Sequence, residues 1–382
     1  MSDVIDYEAI FKQYPWIVEH DLDCVLSPDT DGLLCGLLVS HYLGWHIRGF
    51  YDGKVLALEK GFKPKDCVFL DMEIFRPTIR SVGQHMVMYD KKQIPSNWGN
   101  FIRCIAANNL RGFDFKNDFK SKYPLGTIHL LLAILGRKHH ITIPKSAVSP
   151  LLYTDGTFKN QFNYPENVLS WLSFLCSDEQ KSPLKSVFLD PHYSTYELMC
   201  ALKELFEELN GIGGGKRGGD KIKISDSKGH VVNIENGSGH LIEATRNQAE
   251  NLLQMLAGKT GWDYAPAHWT WGPYNISQLK KGSTKPGKAR YNTLLAENPV
   301  SLAIISGLSI EYTLDPLKYS RAESFGLTVC ILYPFSFLQW CNIQARYRCR
   351  CMNGQDFLPQ QLLSRFRQTD QARYLLADRN IG

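Results

Sequence analysis

No stretch of this chain stays apolar for the roughly 18 residues that a membrane-spanning helix needs. Its opening, Met-Ser-Asp-Val-Ile-Asp, has no basic segment leading into an apolar one. No membrane partner is therefore expected, and the cytoplasm is the expected compartment. Cysteine occurs ten times, but without the paired spacing of a disulfide framework. Cys24, Cys35, Cys67, Cys176, Cys200 and Cys330 stand singly in apolar surroundings, as reduced buried thiols do. The close pair Cys349 and Cys351 lacks a second Cys/His pair nearby, so a four-ligand zinc site is not expected there. Internal repeats are absent, and biased sequence is confined to the glycine-rich run 211–219.

What is present is the balance of a folded globular protein: 44% hydrophobic and 21% charged residues over 382 positions. That length has room for two domains with cores of their own. The net charge of +5 is unevenly placed. Residues 1–190 balance at zero, and the surplus lies in residues 191–382, which suits an anionic partner without demanding one.

Residues 23–27 form an apolar run that leads into Ser27-Pro28-Asp29-Thr30-Asp31-Gly32, and the segment 33–45 then has the apolar content of a buried helix. The pattern of strand and acidic end returns at 67–71, closing on Asp71. A further strand is expected over 85–90, opening on His85. Segment 123–136 predicts an apolar helix bounded by Pro124 and Gly136, within which His129 reads as a core or helix-surface residue. Asp155 lies in a Thr-Asp-Gly turn after another apolar stretch, and 166–176 is an amphipathic helix. Acidic residues at the carboxyl ends of apolar strands are where an open α/β sheet builds its site. The expected class is α/β: a mostly parallel sheet with flanking helices over 1–190, and a basic α+β domain over 191–382. In the latter, a helix precedes the glycine-rich loop, a hairpin follows at 220–236, and a helix stops at Gly258.

Asp29 and Asp31 can turn both carboxylates to one side of a bend freed by Gly32, an arrangement suited to a hard divalent cation. A lone Asp-x-Asp-Gly is equally a solvated turn or a helix cap. The order of the four segments Ser27–Gly32, Val68–Glu73, Ser81–Asp90 and Leu151–Phe158 resembles the four motifs of the DHH phosphoesterase superfamily over roughly residues 20–180. That superfamily includes RecJ-like single-strand exonucleases, oligonucleotide and cyclic-dinucleotide phosphodiesterases, and inorganic pyrophosphatases. The resemblance implies a site of Asp29, Asp31, Asp71, His85 and Asp155 around Mn²⁺ or Mg²⁺, with Asp71 bridging two ions, and phosphoester hydrolysis by a metal-activated water. Where the family carries Asp-His-His, this chain has Gly83-Gln84-His85. Two ions are expected, or one if that departure removes a ligand.

Candidate substrate contacts are Arg111, the loop residues Lys216 and Arg217, and the interleaved aromatic and basic residues Trp269, Trp271, Lys280 and Lys281. Glu73 either supports the site or faces water. The three arginines Arg346, Arg348 and Arg350 alternate along a strand-like segment. The expected function is a metal-dependent phosphodiesterase or nuclease acting on single-stranded nucleic acid or a short oligonucleotide. The rivals are a phosphodiesterase for a cyclic-dinucleotide-type small molecule, and a catalytically silent nucleic-acid-binding subunit with protein partners in a larger processing or defence complex.

Overall fold

Cys24, Val25 and Leu26 are fully buried in the computed structural model of the chain, where they form most of β1 (Asp23–Leu26), the central strand of a seven-stranded sheet. The structure describes residues 4–316 apart from Pro191, Lys216 and the side chains of residues 217 and 218. The remaining strands of this sheet are β2 (His46–Tyr51), β3 (Val55–Glu59), β4 (Val68–Leu70), β5 (Arg80–Gly83), β6 (Cys104–Ala106) and β7 (Tyr274–Gln278). Their order is β6-β5-β4-β1-β2-β3-β7, parallel from β6 through β2 and antiparallel at β3 and β7. The central strands are covered on both faces, which is why they read as continuous apolar runs and not as alternating ones. A second, antiparallel sheet of β8 (Lys280–Thr284), β9 (Ser301–Ser306) and β10 (Ser309–Leu314) has the order β8-β10-β9. The fold is thus α/β, as expected, with a small antiparallel sheet late in the described chain.

Seven helices matter for the site or the core: α1 (Thr30–Leu43), α2 (Thr127–Leu135), α3 (Val148–Tyr153), α4 (Pro165–Phe174), α5 (Thr195–Ile212), α6 (Glu243–Thr260) and α7 (Lys288–Ala296). Helix α1 is buried on nearly every side, so its sequence carries no amphipathic stripe. Asp29 caps its start by accepting from the Gly32 N–H, and Gly44 ends it at φ +69°. Residues on both sides of position 190 share one core. Leu205, Leu209, Leu252, Leu253 and Trp269 belong to the same buried cluster as Leu34, Leu38 and Leu131, and β7 extends the same sheet. All described residues fall in one compact unit. A smaller cluster joins Phe75, Met86 and Phe101 to Tyr291 and Leu294 of α7 and to Ile304 and Ile310 of the small sheet.

Two expectations are corrected here. Segment 85–90 is not a strand: the strand lies earlier, at Arg80–Gly83, and Met86 makes only an isolated bridge to Ile304. The apolar character of Met86 and Val87 comes from packing against the small sheet's cluster, which periodicity alone cannot separate from a strand. His85 therefore follows the carboxyl end of β5, as Asp71 follows that of β4. Helix α6 also runs through Gly258, where added bulk would meet only open space, and stops at Gly261 in the left-handed region at φ +73°. Segment 220–236 makes a hairpin-like turn closed by the Ser225–Val231 bridge, without a named strand.

Candidate metal centre

The sheet order reverses beside β1: the chain leaves β1 for β2 on one side and later returns to β4 on the other. A crevice opens at such a switch point outside the carboxyl ends of the strands. Ser27, Asp29 and Asp71 occupy it. A Cβ on residue 32 would lie 2.2 Å from the Ser27 carbonyl oxygen, so only glycine lets the first turn of α1 pack this tightly against the end of β1. The Ser27 hydroxyl lies 2.8 Å from Asp29 Oδ1 and 2.6 Å from Asp71 Oδ2, and its single proton serves both carboxylates.

Asp31, in the first turn of α1, is 2% exposed. Its two oxygens accept from the backbone N–H groups of Thr127 (2.7 Å) and Ile128 (3.0 Å) at the start of α2, and the Thr127 hydroxyl donates to Asp71 Oδ1 at 2.7 Å. The amino end of α2 thus supplies the donors that its first turn leaves unsatisfied and a favourable dipole to both carboxylates. Gly126 makes room, since a Cβ there would come within 2.9 Å of Asp31 Oδ2. His129 steadies this turn: its Nδ1 accepts from the Gly126 N–H at 3.0 Å, and burial pulls its pKa down to about 3, which keeps it neutral. His129 is a core residue.

Asp155 follows α3 in a left-handed turn at φ +46°, and Asp71 sits at φ +66°. A non-glycine residue in this region costs roughly 1–3 kcal/mol, and aspartate is one of the few side chains that tolerates it. Both strained carboxylates converge with Asp31: one oxygen from each of Asp31, Asp71 and Asp155 lies within 4.8 Å of the others. Burial raises the pKa of Asp31 well above the usual range, with Asp71 and Asp155 adding to the shift and the Ile128 N–H opposing it. Burial and the charges of Asp29 and Asp155 do the same to Asp71. Asp155 is the exposed member; desolvation in the groove raises its pKa and His85 opposes that rise. Among the described residues, no lysine or arginine comes within 4.0 Å of these carboxylates as an ion pair, and the nearby cation is His85. Hard carboxylate oxygens crowded together in this way could hold a metal ion.

His85 stands at the edge of this group, its side chain a third exposed. Glu73, 2% exposed, accepts from the His85 backbone N–H at 2.5 Å and lies 3.7 Å from Nδ1. Burial depresses the imidazole pKa, but Glu73, Asp155 and Asp71 outweigh it and raise it to about 9. A Cβ on residue 83 would lie 2.6 Å from the Glu73 carboxylate, so the glycine at the head of the third segment is the space that this carboxylate fills.

Three recesses meet at Asp155. One of about 460 Å³ is lined by Asp29, Asp31, Tyr153, Phe206 and Lys221. One of about 350 Å³ lies under the small sheet and is lined by Asp71, His85, Lys281 and Tyr312. The largest, about 870 Å³, runs from Gln84 and His85 past Lys122, Tyr123, Tyr164 and Asn167. The small sheet is anchored above the crevice by hydrogen bonds from Phe75 N to Val300 O (2.9 Å), from Ile304 N to Met86 O (2.9 Å) and from Thr313 Oγ1 to Gly53 O (2.7 Å).

The structure therefore brings Asp29, Asp31, Asp71, His85 and Asp155 to one place. Lys281 reaches the groove wall, ion-paired to Glu311 at 2.6 Å, while Lys280 takes the opposite face of β8. Arg111 is engaged elsewhere, 4.7 Å above the Trp171 ring and hydrogen-bonded to Ser170. Trp269 and Trp271 are 5% and 7% exposed and stack on each other within the core, where no base reaches them. Lys216, the side chain of Arg217, Cys349, Cys351 and the arginines at 346, 348 and 350 lie outside the described residues. Sequence reasoning missed Ser27, Thr127, Lys122 and Lys221. Of these only Thr127, a hydroxyl opening an apolar helix after glycine, carried a readable signal. Lys221 is carried to the site because Ile222 N donates to the Pro28 carbonyl at 2.7 Å.

No protein-family model and no curated protein matches the chain. The resemblance to DHH phosphoesterases thus rests on the motif residues and their order.

Proposed function

We propose that this protein is a metal-dependent phosphodiesterase that hydrolyses phosphodiester bonds in single-stranded nucleic acid or short oligonucleotides. The observation that carries the reading is the convergence of Asp31, Asp71 and Asp155 at a sheet switch point, two of them in left-handed turns. Asp31, Asp71 and Asp155 would hold Mn²⁺ or Mg²⁺, with Asp29 and His85 next in line for a second ion. Such ions, when bound, supply the positive charge that polarises a phosphate and makes water acidic enough to react near neutral pH. The chain's own part is placement. Thr127 and Ile128 fix Asp31, Ser27 and Thr127 fix Asp71, and Glu73 takes the Nδ1 side of His85, leaving Nε2 for the groove. Lys221 and Lys281 line the groove as contacts for substrate phosphates.

The test is incubation of the purified protein with Mn²⁺ and end-labelled single-stranded DNA or RNA, beside Asp31→Asn and Asp71→Asn. Cleavage is expected from the wild type alone, and cleavage that persists in both variants would overturn the proposal. The 870 Å³ recess favours a second reading, a small dinucleotide-type substrate, because that volume lies in the range of small-ligand sites. A polymeric substrate gives binding that weakens steeply with salt, whereas a dinucleotide in a closed recess gives a shallow slope.

A further inference from the structure

Lys122 lies in the loop that leads into α2 and lines the 870 Å³ recess. Its Nζ donates to the carbonyl of Ile305 at 2.7 Å and stands 5.3 Å from the centre of the Phe119 ring. No carboxylate among the described residues lies within ion-pair distance of it. Burial lowers its pKa, and no acidic neighbour raises it. A partly buried ammonium normally has an anionic partner, because desolvating a charge without one is unfavourable. The carbonyl of Ile305 supplies a dipole but no charge.

The surroundings are ready for such a partner. Asn167 donates through Nδ2 to the Lys122 carbonyl at 2.8 Å, which fixes the backbone from which the Lys122 side chain projects. Lys120 adds a second cation at the exposed rim, and the rings of Phe119 and Tyr164 line the same wall. The recess reaches His85 and Asp155 at its other end, so a group held at Lys122 is continuous with the candidate metal centre.

We propose that Lys122 forms an anion subsite for a phosphate of a nucleotide substrate other than the phosphate cleaved, with the nucleoside against Phe119 and Tyr164. The proposal deepens the phosphodiesterase reading and rests on it for what happens at the acidic centre. Occupancy of the subsite itself requires no metal.

The experiment is calorimetric titration of 5′-AMP into the full chain in EDTA, comparing wild type, Lys122→Gln, Lys122→Arg and, as a charge-matched control at an exposed site outside the recess, Lys12→Gln. Lys122→Gln removes the charge and leaves an amide donor on a side chain one atom shorter, and a melting curve for each variant checks that the fold is intact. Saturable binding is expected for the wild type, roughly ten-fold weaker in Lys122→Gln (about 1.4 kcal/mol), largely restored in Lys122→Arg and unchanged within about two-fold in Lys12→Gln. Equal affinity in wild type and Lys122→Gln, or no wild-type binding, overturns the subsite even if the enzyme cleaves nucleic acid. Lys122-dependent binding without any Mn²⁺-dependent cleavage upholds the subsite and sinks the phosphodiesterase reading.

Discussion

Replacing Asp71 with asparagine should make the metal-free protein more stable while abolishing its response to Mn²⁺. Oxygens of Asp31, Asp71 and Asp155 lie within 4.8 Å of one another. At an effective dielectric constant of 20, each fully ionised pair at that distance repels by about 3 kcal/mol. Pairs involving the solvent-facing Asp155 are screened and count for less. Asparagine keeps an oxygen for the Thr127 hydroxyl but removes the charge, so a gain of about 1–3 kcal/mol at neutral pH follows. The pH dependence has a definite sign. The folded-state pKa values of Asp31 and Asp71 are raised, so between the unfolded and folded values the native protein binds more protons than the unfolded chain. Wild-type stability therefore falls as pH rises above about 4, and the advantage of Asp71→Asn vanishes below that pH. Mn²⁺ at about 100 times its Kd adds about 2.7 kcal/mol to the wild type, or roughly 5 °C in Tm for a unit of this size. Thermal melts in EDTA and in Mn²⁺, at acidic and neutral pH, read all of this. A wild type indifferent to Mn²⁺, together with a variant no more stable at neutral pH, would refute the view that these carboxylates are crowded for a cation.

Three further outcomes follow from particular contacts. Glu73→Gln should weaken Mn²⁺ binding about ten-fold or more by calorimetry. In EDTA it should also lower the His85 pKa from about 9 in an NMR titration, and because a raised histidine pKa stabilises below the unfolded value and not above the folded one, the variant should lose more stability near pH 6 than near pH 10. Gly83→Ala should cost about 1–3 kcal/mol in urea unfolding by driving a methyl into the Glu73 carboxylate. Trp269→Ala should cost about 3–5 kcal/mol as a core deletion, and any nucleic-acid affinity measured below the variant's unfolding temperature should keep the wild-type salt slope.

Strands β1 and β4 were legible because each is a short, largely apolar run followed by an aspartate, and α1, α4 and α5 because they carry ordinary helix signals, whereas β2, with His46 and Arg48, and β5, with Arg80 and Ser81, show no such run. Placement of the carboxylates was legible for the same reason: strand ends are where side chains of this kind gather. The donors that hold them were not, since Thr127 and Ile128 meet Asp31 across 96 and 97 residues of sequence and no local pattern marks that meeting. The tryptophans misled in a specific way. Trp269 and Trp271 sit beside basic residues in the sequence, but the chain turns between them, sending the rings into the core and Lys281 into the groove. The need for glycine at position 83 was not legible either, since the Glu73 carboxylate that occupies the space beside it comes from a neighbouring segment.

The amino end of α2 has one last consequence. The helix is part of the central core, with Ile128, Leu130, Leu131 and Leu132 fully buried, so the donors it offers to Asp31 and Asp71 are fixed by folding and not by an ion. Small metal-organised domains behave the other way, collapsing when their ion is removed. In this protein a chelator should empty the centre and leave the scaffold standing. Ion exchange would then be set by how fast the ion sheds its own water, a step at which Mg²⁺ is slow, and not by any reordering of the chain.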